Sequence, residues 1–312
     1  MKKLVLSYNS DIRNTGTPVL FWDAAKQDLG LGDKVVRYSR PMPEDTSTYK
    51  DADLILMLDD GRDDIPFVRP KVDCPVAYYA IDTHLGFPER LKKAKECDFV
   101  FCAQKNGAER MAAEGHQKAY WVPLACHSRA HPNLPELLSG TQREKWEGMG
   151  GLHKQHDIAF VGFINEGAGP NSHNRLEFLD GMFREFANFW TTNNCFFEDM
   201  AYRFVRARIG VNISIRDDLN MRFFEIMSTG SCLLTNTDVT GLKETGFVDM
   251  EHFIGYNGTI EDAIKKTRWA LDNPMEREEI AARGHALVRE KHTYAHRLID
   301  ILDTCGVNAQ SL

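Results

Sequence analysis

The sequence lacks the features that mark several large classes of protein. No apolar run approaches the roughly 20 residues needed to cross a bilayer. The first hydrophobic stretch follows a basic start and breaks at Asn9, which is too short for the core of a signal peptide. The seven cysteines are scattered, and no two have the CxxC spacing of a zinc or thiol–disulfide motif. We therefore expect a cytoplasmic protein with buried free thiols and no membrane span.

An excess of positive charge is also missing. The net charge is -7 over 312 residues, which disfavours a uniformly basic nucleic-acid surface and leaves room only for a local basic groove. Hydrophobic residues make up 43% and charged residues 27% of the chain, as in soluble globular proteins. The length predicts two domains or one large α/β unit.

Short β-branched runs alternate with amphipathic helices through the first half of the chain. Strands are predicted at 3–8, 35–39, 53–58 and 75–81, and this alternation is typical of a parallel, doubly wound sheet. The periodicity collapses between residues 128 and 156. We therefore predict one Rossmann-like domain over 1–150 and a second over 151–312, with a last helix that can return to the first domain.

The second half restarts the pattern. A strand is predicted at 157–163, a helix from Asn174 to Phe189 and a short strand near 195–197. Two such α/β halves in tandem leave a cleft between them, and ligands of open α/β sheets bind beyond the carboxyl ends of the strands. The pattern predicts a small-molecule site in this cleft without naming its chemistry.

Two loops of the second half carry groups suited to a phosphorylated ligand. The loop 164–174 contains small residues and leads into a helix with Arg175 in its first turn, where backbone amides and a guanidinium can bind phosphate. Its spacing is neither GxGxxG nor a Walker A loop, which argues against NAD and against a P-loop NTPase. Farther along, Asp217 and Glu225 flank a loop and the start of a helix, and Arg222 can hold a phosphate. Glu225 stands among apolar residues, where a carboxylate usually has a partner.

In the first half, Asp82 and His84 follow directly after a predicted strand. That position suits an acid/base pair or contacts to an acceptor. The acidic run 59–64 lacks the rest of a calcium loop, so we assign no metal site to it.

Several ordered motifs of the second half belong together. Asp-Ile-Ala-Phe-Val-Gly occupies 157–162, Asn-Met-Arg-Phe-Phe-Glu-Ile-Met-Ser-Thr-Gly occupies 220–230, and His-Thr-Tyr-Ala-His-Arg occupies 292–297. In this order they resemble the glycosyl transferase group 1 domain, and in particular the spore-maturation CgeB-like glycosyltransferases. The first half resembles the family only loosely, through its strand order and the segments around Asp82 and Val122.

The resemblance implies a GT-B fold, in which two Rossmann-like domains face each other across a cleft and the second holds a nucleotide-sugar donor. Glu225 matches the family glutamate that holds the donor ribose. Asp217 lies where relatives carry the first glutamate of a paired-glutamate motif. Arg175 lies where a basic residue meets the donor diphosphate, whereas Phe163 replaces the basic residue often found after the strand's glycine.

The same resemblance, together with the residues discussed above, gives the full predicted site. The donor-binding residues are Gly16, Gly162, Asn165, Arg175, Asn220, Arg222 and Glu225, and the catalytic candidates are Asp11, Asp82, His84 and Asp217. The spacing of the paired acids favours retention of the anomeric configuration. Asp11, in the loop after the first strand, is the candidate base for inversion.

The function predicted in this way is transfer of a hexose or pentose from a nucleotide diphosphate sugar to an unknown acceptor, without a metal or other cofactor. One alternative is a non-catalytic nucleotide-sugar-binding or partner protein, suggested by Asp217 and Phe163. Another is a transferase that acts on a macromolecule such as modified phage DNA. It would require one basic face formed by Lys92, Lys93, Lys95, Lys105 and Arg110. A nicotinamide oxidoreductase is disfavoured because the glycine fingerprint is missing.

Overall fold

A computed structural model describes residues 3–8, 16–39, 46–61, 68–140, 143–151, 153–164 and 172–307, with side chains from 175 onward in the last range. Two predicted site residues, Asp11 and Asn165, lie outside the described residues.

The strands and helices alternate along the chain as the sequence pattern predicts. In chain order they are β1 (Leu4–Ser7), α1 (Thr17–Asp23), β2 (Val35–Tyr38), β3 (Leu54–Leu58), β4 (Val76–Ala80), α2 (Phe87–Lys95), β5 (Phe99–Cys102), α3 (Lys105–Ala113), β6 (Ala119–Trp121), α4 (Leu134–Ser139), α5 (Arg143–Gly148), β7 (His156–Val161), α6 (Ser172–Glu185), β8 (Phe189–Thr192), α7 (Phe197–Val205), β9 (Ala207–Val211), α8 (Met221–Ser228), β10 (Cys232–Asn236), β11 (Ile254–Tyr256), α9 (Ile260–Asp272), α10 (Pro274–Lys291) and α11 (Tyr294–Thr304).

The first unit comprises Met1–Leu124 and Tyr294–Leu312. Its described residues form a six-stranded parallel sheet in the order β2-β1-β3-β4-β5-β6, with Leu4 beside both Val35 and Leu54. Strands β3 and β4 are buried along their whole length, as expected of strands covered on both faces. The chain leaves β1 first toward β2 and later toward β3, which places the topological switch point between β1 and β3.

The second unit is Ala125–Thr293. Its described residues form a five-stranded parallel sheet in the order β11-β10-β9-β7-β8, and Ile158 of β7 pairs with both Phe189 and Ile209. Here the order reverses between β7 and β9, so the switch point lies between these two strands. Ligands of such sheets bind outside the carboxyl ends of the strands at that point.

The division into units differs from the expected boundary at residue 150. Residues 125–150 group with the second unit because their contacts are made there: the N–H of Cys126 donates to the carbonyl of His292 (3.0 Å), and the Ser228 hydroxyl donates to the carbonyl of His131 (2.8 Å). The segment also contains α4, capped by Asn133. The last helix, α11, groups with the first unit.

The edge strand of the second sheet corrects one local prediction. The helix expected to continue to Phe189 ends at Glu185, and β8 follows at Phe189–Thr192. The strand expected near 195–197 is absent among the described residues, since α7 begins at Phe197. The aromatic and β-branched run that starts at Phe189 favours a strand, and its register with β7 places the Phe189 ring on Phe183, with centroids 4.5 Å apart.

Two predictions from composition can be compared with the structure directly. No described helix is long and apolar enough to cross a membrane. All seven cysteines are free thiols; Cys74 is half-buried and the others are buried. The cytoplasmic location stays a prediction.

Candidate functional site

Arg175 ties together the two loops at the switch point of the second unit. Its Nη1 donates to the carbonyl of Phe163, which follows β7, and its Nη2 donates to the carbonyl of Ile213, which follows β9, each at 3.0 Å. Burial lowers the pKa of Arg175, and the neighbouring charge of Arg222 lowers it further. Two guanidinium groups that repel each other at this point make the site attractive to an anion.

A pocket of about 240 Å³ opens beside Arg175, lined also by Ser214, Asn236, Asp238 and Tyr256. The N–H of Ser214 donates to the Asn236 side-chain oxygen (2.9 Å), and the Asn236 amide donates to Asp238 (2.8 Å). These contacts join the segments that follow β9 and β10. The pocket therefore offers donors and acceptors at the carboxyl ends of the strands, where a polar ligand can be recognised.

Asn220 fixes the start of α8 relative to β9. Its side-chain oxygen accepts from the N–H of Phe223 (3.2 Å), which is the capping interaction that asparagine favours at a helix N-terminus. Its amide nitrogen donates to the side-chain oxygen of Asn212 (3.1 Å), the first residue after β9. Asn220 thus holds α8, and with it Arg222 and Glu225, in a fixed orientation beyond the sheet.

Glu225 is a buried carboxylate with a partner at each oxygen. The residue is 3% exposed; Oε2 lies 2.8 Å from Nη1 of Arg222, and Oε1 lies 3.0 Å from Nε2 of His131. Burial by itself raises the pKa of this carboxyl, but Arg222 and His131 together outweigh it and lower the pKa to about 2. Glu225 is therefore ionised. The expectation from the sequence that this carboxylate has a partner is confirmed by Arg222 and His131.

His131 is the site residue that the sequence analysis missed. It lies in the segment where the periodicity collapses, and no local pattern distinguishes it from an incidental loop histidine. The sequence gives one indication of such a residue: the buried carboxylate of Glu225 needs a partner. That requirement does not identify which residue is the partner. In the structure His131 is completely buried against α8.

Asp217 is used to hold a loop. Both of its carboxylate oxygens accept hydrogen bonds from Thr240, one from the N–H and one from the hydroxyl (2.6 Å for the latter). Arg216 and Asp217 have positive φ angles of 52° and 58°, a conformation uncommon for residues other than glycine. The carboxylate therefore stabilises the loop after β10, and its predicted catalytic contact with the donor sugar stays a prediction.

In the first unit, Asp82 and His84 lie in a turn after β4 and are both half-buried. A fully buried ion pair supports this turn. Asp59 lies 2.9 Å from Nε of Arg90, and Arg90 also donates to the carbonyl of Ile81, the residue before Asp82. Asp59, the first residue of the acidic run, thus serves an internal ion pair. A rigid turn suits residues that must present side chains to an acceptor, and the catalytic roles of Asp82 and His84 stay predictions.

The two glycines of the predicted site end up in different units. Gly16 precedes α1 with φ +133°, which side-chain-bearing residues rarely adopt. Gly162 follows β7, and a Cβ there would lie only 2.8 Å from the ring of Phe160. Among the described site residues, the second unit brings Gly162, Arg175, Asp217, Asn220, Arg222 and Glu225 to the carboxyl ends of β7 and β9, whereas Gly16, Asp82 and His84 belong to the first unit.

Comparison with known proteins decides the fold. Residues 175–303 match the protein family described as Glycosyl transferase-like. The crystal structure of Anabaena HepE in complex with UDP and glucose is similar over 98% of this chain and 100% of that chain, with a TM-score of 0.65 and 10% sequence identity. The chain has the GT-B fold.

Two other solved structures agree with this GT-B assignment. Sucrose-phosphate synthase from Thermosynechococcus elongatus matches over 96% of this chain and 98% of its own, with a TM-score of 0.64 and 9% identity. Trehalose 6-phosphate synthase from Burkholderia multivorans matches over 100% of both chains, with a TM-score of 0.59 and 12% identity. No curated protein matches the chain. The predicted fold is confirmed, and the finer CgeB-like assignment stays a prediction.

The buried histidine next to His131 makes stability depend on pH. Burial lowers the pKa of His127 to about 4, and the guanidinium charges of Arg129 and Arg289 lower it further. Between pH 6.5 and 4 the unfolded chain therefore binds a proton that the folded chain does not, so the free energy of unfolding falls as the pH falls. For this one group the loss reaches about 3 kcal/mol. Urea unfolding from pH 7 to 4 measures it, with His127→Gln as the variant that cannot titrate. Equal pH dependence of the two proteins contradicts the prediction.

Proposed function

We propose that this protein is a glycosyltransferase that moves a sugar from a nucleotide diphosphate sugar to an acceptor. The proposal rests chiefly on the ionised, buried Glu225 paired with Arg222 on α8, beyond the carboxyl end of β9 in a GT-B fold. An anionic carboxylate can accept hydrogen bonds from the hydroxyls of a donor ribose, and the guanidinium beside it can bind the diphosphate.

The chemical step needs positive charge at the leaving group. The acceptor oxygen bonds to the anomeric carbon and gives its proton to a base, for which Asp82 and His84 are the candidates. The bond between that carbon and the β-phosphate oxygen breaks, and negative charge develops on the departing nucleoside diphosphate. Arg222, with Arg175 nearby, supplies charge and hydrogen-bond donors at that position. In this proposal no metal ion or other cofactor is required, because the two guanidinium groups stabilise the diphosphate.

The acceptor side is assigned to the first unit. We propose that Asp82 and His84, presented by the turn after β4, contact the acceptor or move its proton, and that Gly16 lets the donor phosphates approach α1. The donor-side roles of Gly162, Asn165 and Asn220, and those of Asp217 and Asp11 in setting the anomeric outcome, belong to the same proposal. The group transferred is a hexose or a pentose.

One observation favours a second candidate function. Because both oxygens of Asp217 bind Thr240, the carboxylate that replaces the family's first glutamate has a structural task. A non-catalytic nucleotide-sugar-binding protein would tolerate this arrangement. The macromolecular alternative stays a prediction: of the five cations on α2 and α3, Lys93 is buried, whereas Lys92, Lys95 and Arg110 are exposed.

Nucleotide binding tests the proposal directly. A thermal-shift panel of UDP, GDP, ADP, CMP and dTDP with their sugar conjugates should raise the melting temperature with one nucleotide family. Ligand at 100 times its Kd should stabilise the fold by roughly 2.7 kcal/mol. UDP is the first ligand to test, since structures of Anabaena HepE hold UDP and UDP-glucose. Absence of any shift at millimolar concentrations contradicts the proposed donor site. Binding without transfer to any acceptor or water favours the non-catalytic candidate.

Arg222→Ala should lower kcat by roughly 30- to 1,000-fold, corresponding to about 2–4 kcal/mol of transition-state stabilisation. The charge that develops on the diphosphate then loses its guanidinium partner. The variant also leaves Glu225 with His131 alone, so unfolding by urea must be measured beside the kinetics. Arg222→Lys is the control, because it keeps the positive charge and should retain more activity. Full activity of the alanine variant overturns this part of the proposal.

A further inference from the structure

We propose that His131 is the residue that positions Glu225 for the donor ribose, holding one carboxylate oxygen so that the other can accept from a ribose hydroxyl. The inference rests on the proposed function and adds a residue that touches no substrate itself. It concerns residues of the second unit only: His131, Glu225, Arg222 and the groups that fix them.

The hydrogen bonds of the His131 ring determine where its proton lies. The backbone N–H of His127 donates to Nδ1 of His131 at 3.1 Å. A ring nitrogen that accepts a hydrogen bond carries no proton, so the neutral imidazole is protonated at Nε2. This is the nitrogen that lies 3.0 Å from Oε1 of Glu225. The ring therefore presents a donor to the carboxylate.

The backbone of His131 is anchored to the same helix that carries Glu225. Its carbonyl accepts from the hydroxyl of Ser228 (2.8 Å) and from Nη2 of Arg289 (3.0 Å). Ser228 stands one helical turn after Glu225 in α8. Arg289 adds a bond to the carbonyl of Ser228 (3.1 Å), which closes the network. These hydrogen bonds fix the position of His131 relative to Glu225.

The two partners of Glu225 differ in their access to solvent. His131 is completely buried, whereas the Arg222 side chain is 21% exposed. An anionic diphosphate can compete for Arg222 but cannot reach His131. When Arg222 turns to the diphosphate, His131 keeps Oε1 in place and Oε2 becomes available to a ribose hydroxyl. The carboxylate stays ionised and paired throughout, which a buried charge requires.

Asparagine and glutamine separate this positioning role from mere packing. An asparagine amide reaches roughly as far as the Nδ1 of histidine, so His131→Asn can still accept from the N–H of His127 but cannot reach Glu225. A glutamine amide extends one methylene farther, so His131→Gln can still donate to Oε1. His285→Gln is the matched control, because His285 bonds Asn133 and the carbonyl of Met227 in the same part of the unit without contacting Glu225.

The experiment measures ribose discrimination by calorimetry: the ratio of Kd values for the 2′- and 3′-deoxy forms of the nucleoside diphosphate to the Kd of the parent ribonucleotide, UDP in the first instance. We expect a ratio on the order of tenfold or more for the wild type at the hydroxyl that Glu225 accepts from. His131→Asn should bring that ratio close to one, while His131→Gln and His285→Gln keep it. The ratio does not depend on the folded fraction, since both ligands are measured on the same protein.

The possible results distinguish failure of this inference from failure of the proposed function on which it rests. If the wild type binds no nucleoside diphosphate, the proposed function fails and the inference with it. If the wild type discriminates and His131→Asn discriminates equally well, only the inference fails. Should His131→Asn not fold, nitrogen-15 spectra of the wild-type histidine rings supply a second test. Nε2 of His131 should be protonated and Nδ1 unprotonated, with and without nucleotide, and the opposite tautomer overturns the proposal.

Discussion

A single buried negative charge sets the requirements for the candidate site. Glu225 sits on an otherwise apolar stretch of α8, and a carboxylate removed from water must be paired or it destabilises the fold. Arg222 supplies a charge one turn away on the same helix, and His131 supplies a donor from a segment far away in the chain. Because the favourable interactions outweigh burial, the group stays anionic. The second unit therefore holds the ionised carboxylate of Glu225, a hydrogen-bond acceptor, beyond the carboxyl end of the sheet.

That requirement also explains why residues 125–150 pack where they do. The segment must deliver His131 to α8, and it is fastened there by Ser228 and Arg289 as well as by the capped helix α4. Its two helices, α4 and α5, are short. Its place in the second unit follows from these polar contacts and from buried Leu137 and Trp146, which pack in one hydrophobic cluster with Tyr202.

The sequence was sufficient for the layered architecture and for much of the site. Alternation of β-branched runs and helices predicts both parallel sheets, and the motif from Asn220 to Gly230 predicts the helix with Arg222 and Glu225. The unit division, β8 and His131 could not be predicted in the same way, because each depends on a tertiary partner. Residue 131 has no local signature. The run from Phe189 favours a strand, but only its pairing with β7 shows that the preceding helix has already ended. The hydrogen bonds from Thr240 to Asp217 likewise could not be predicted, because these residues are brought together only by the fold.

A crystal structure of the protein with a bound nucleoside diphosphate, UDP first, tests the central claim most directly. We predict the ribose hydroxyls within hydrogen-bond distance of Oε2 of Glu225, the Arg222 guanidinium on the diphosphate, and His131 still beside Oε1. A nucleotide bound with its ribose elsewhere, while Glu225 remains paired to Arg222, would contradict the assignment of this carboxylate to the donor.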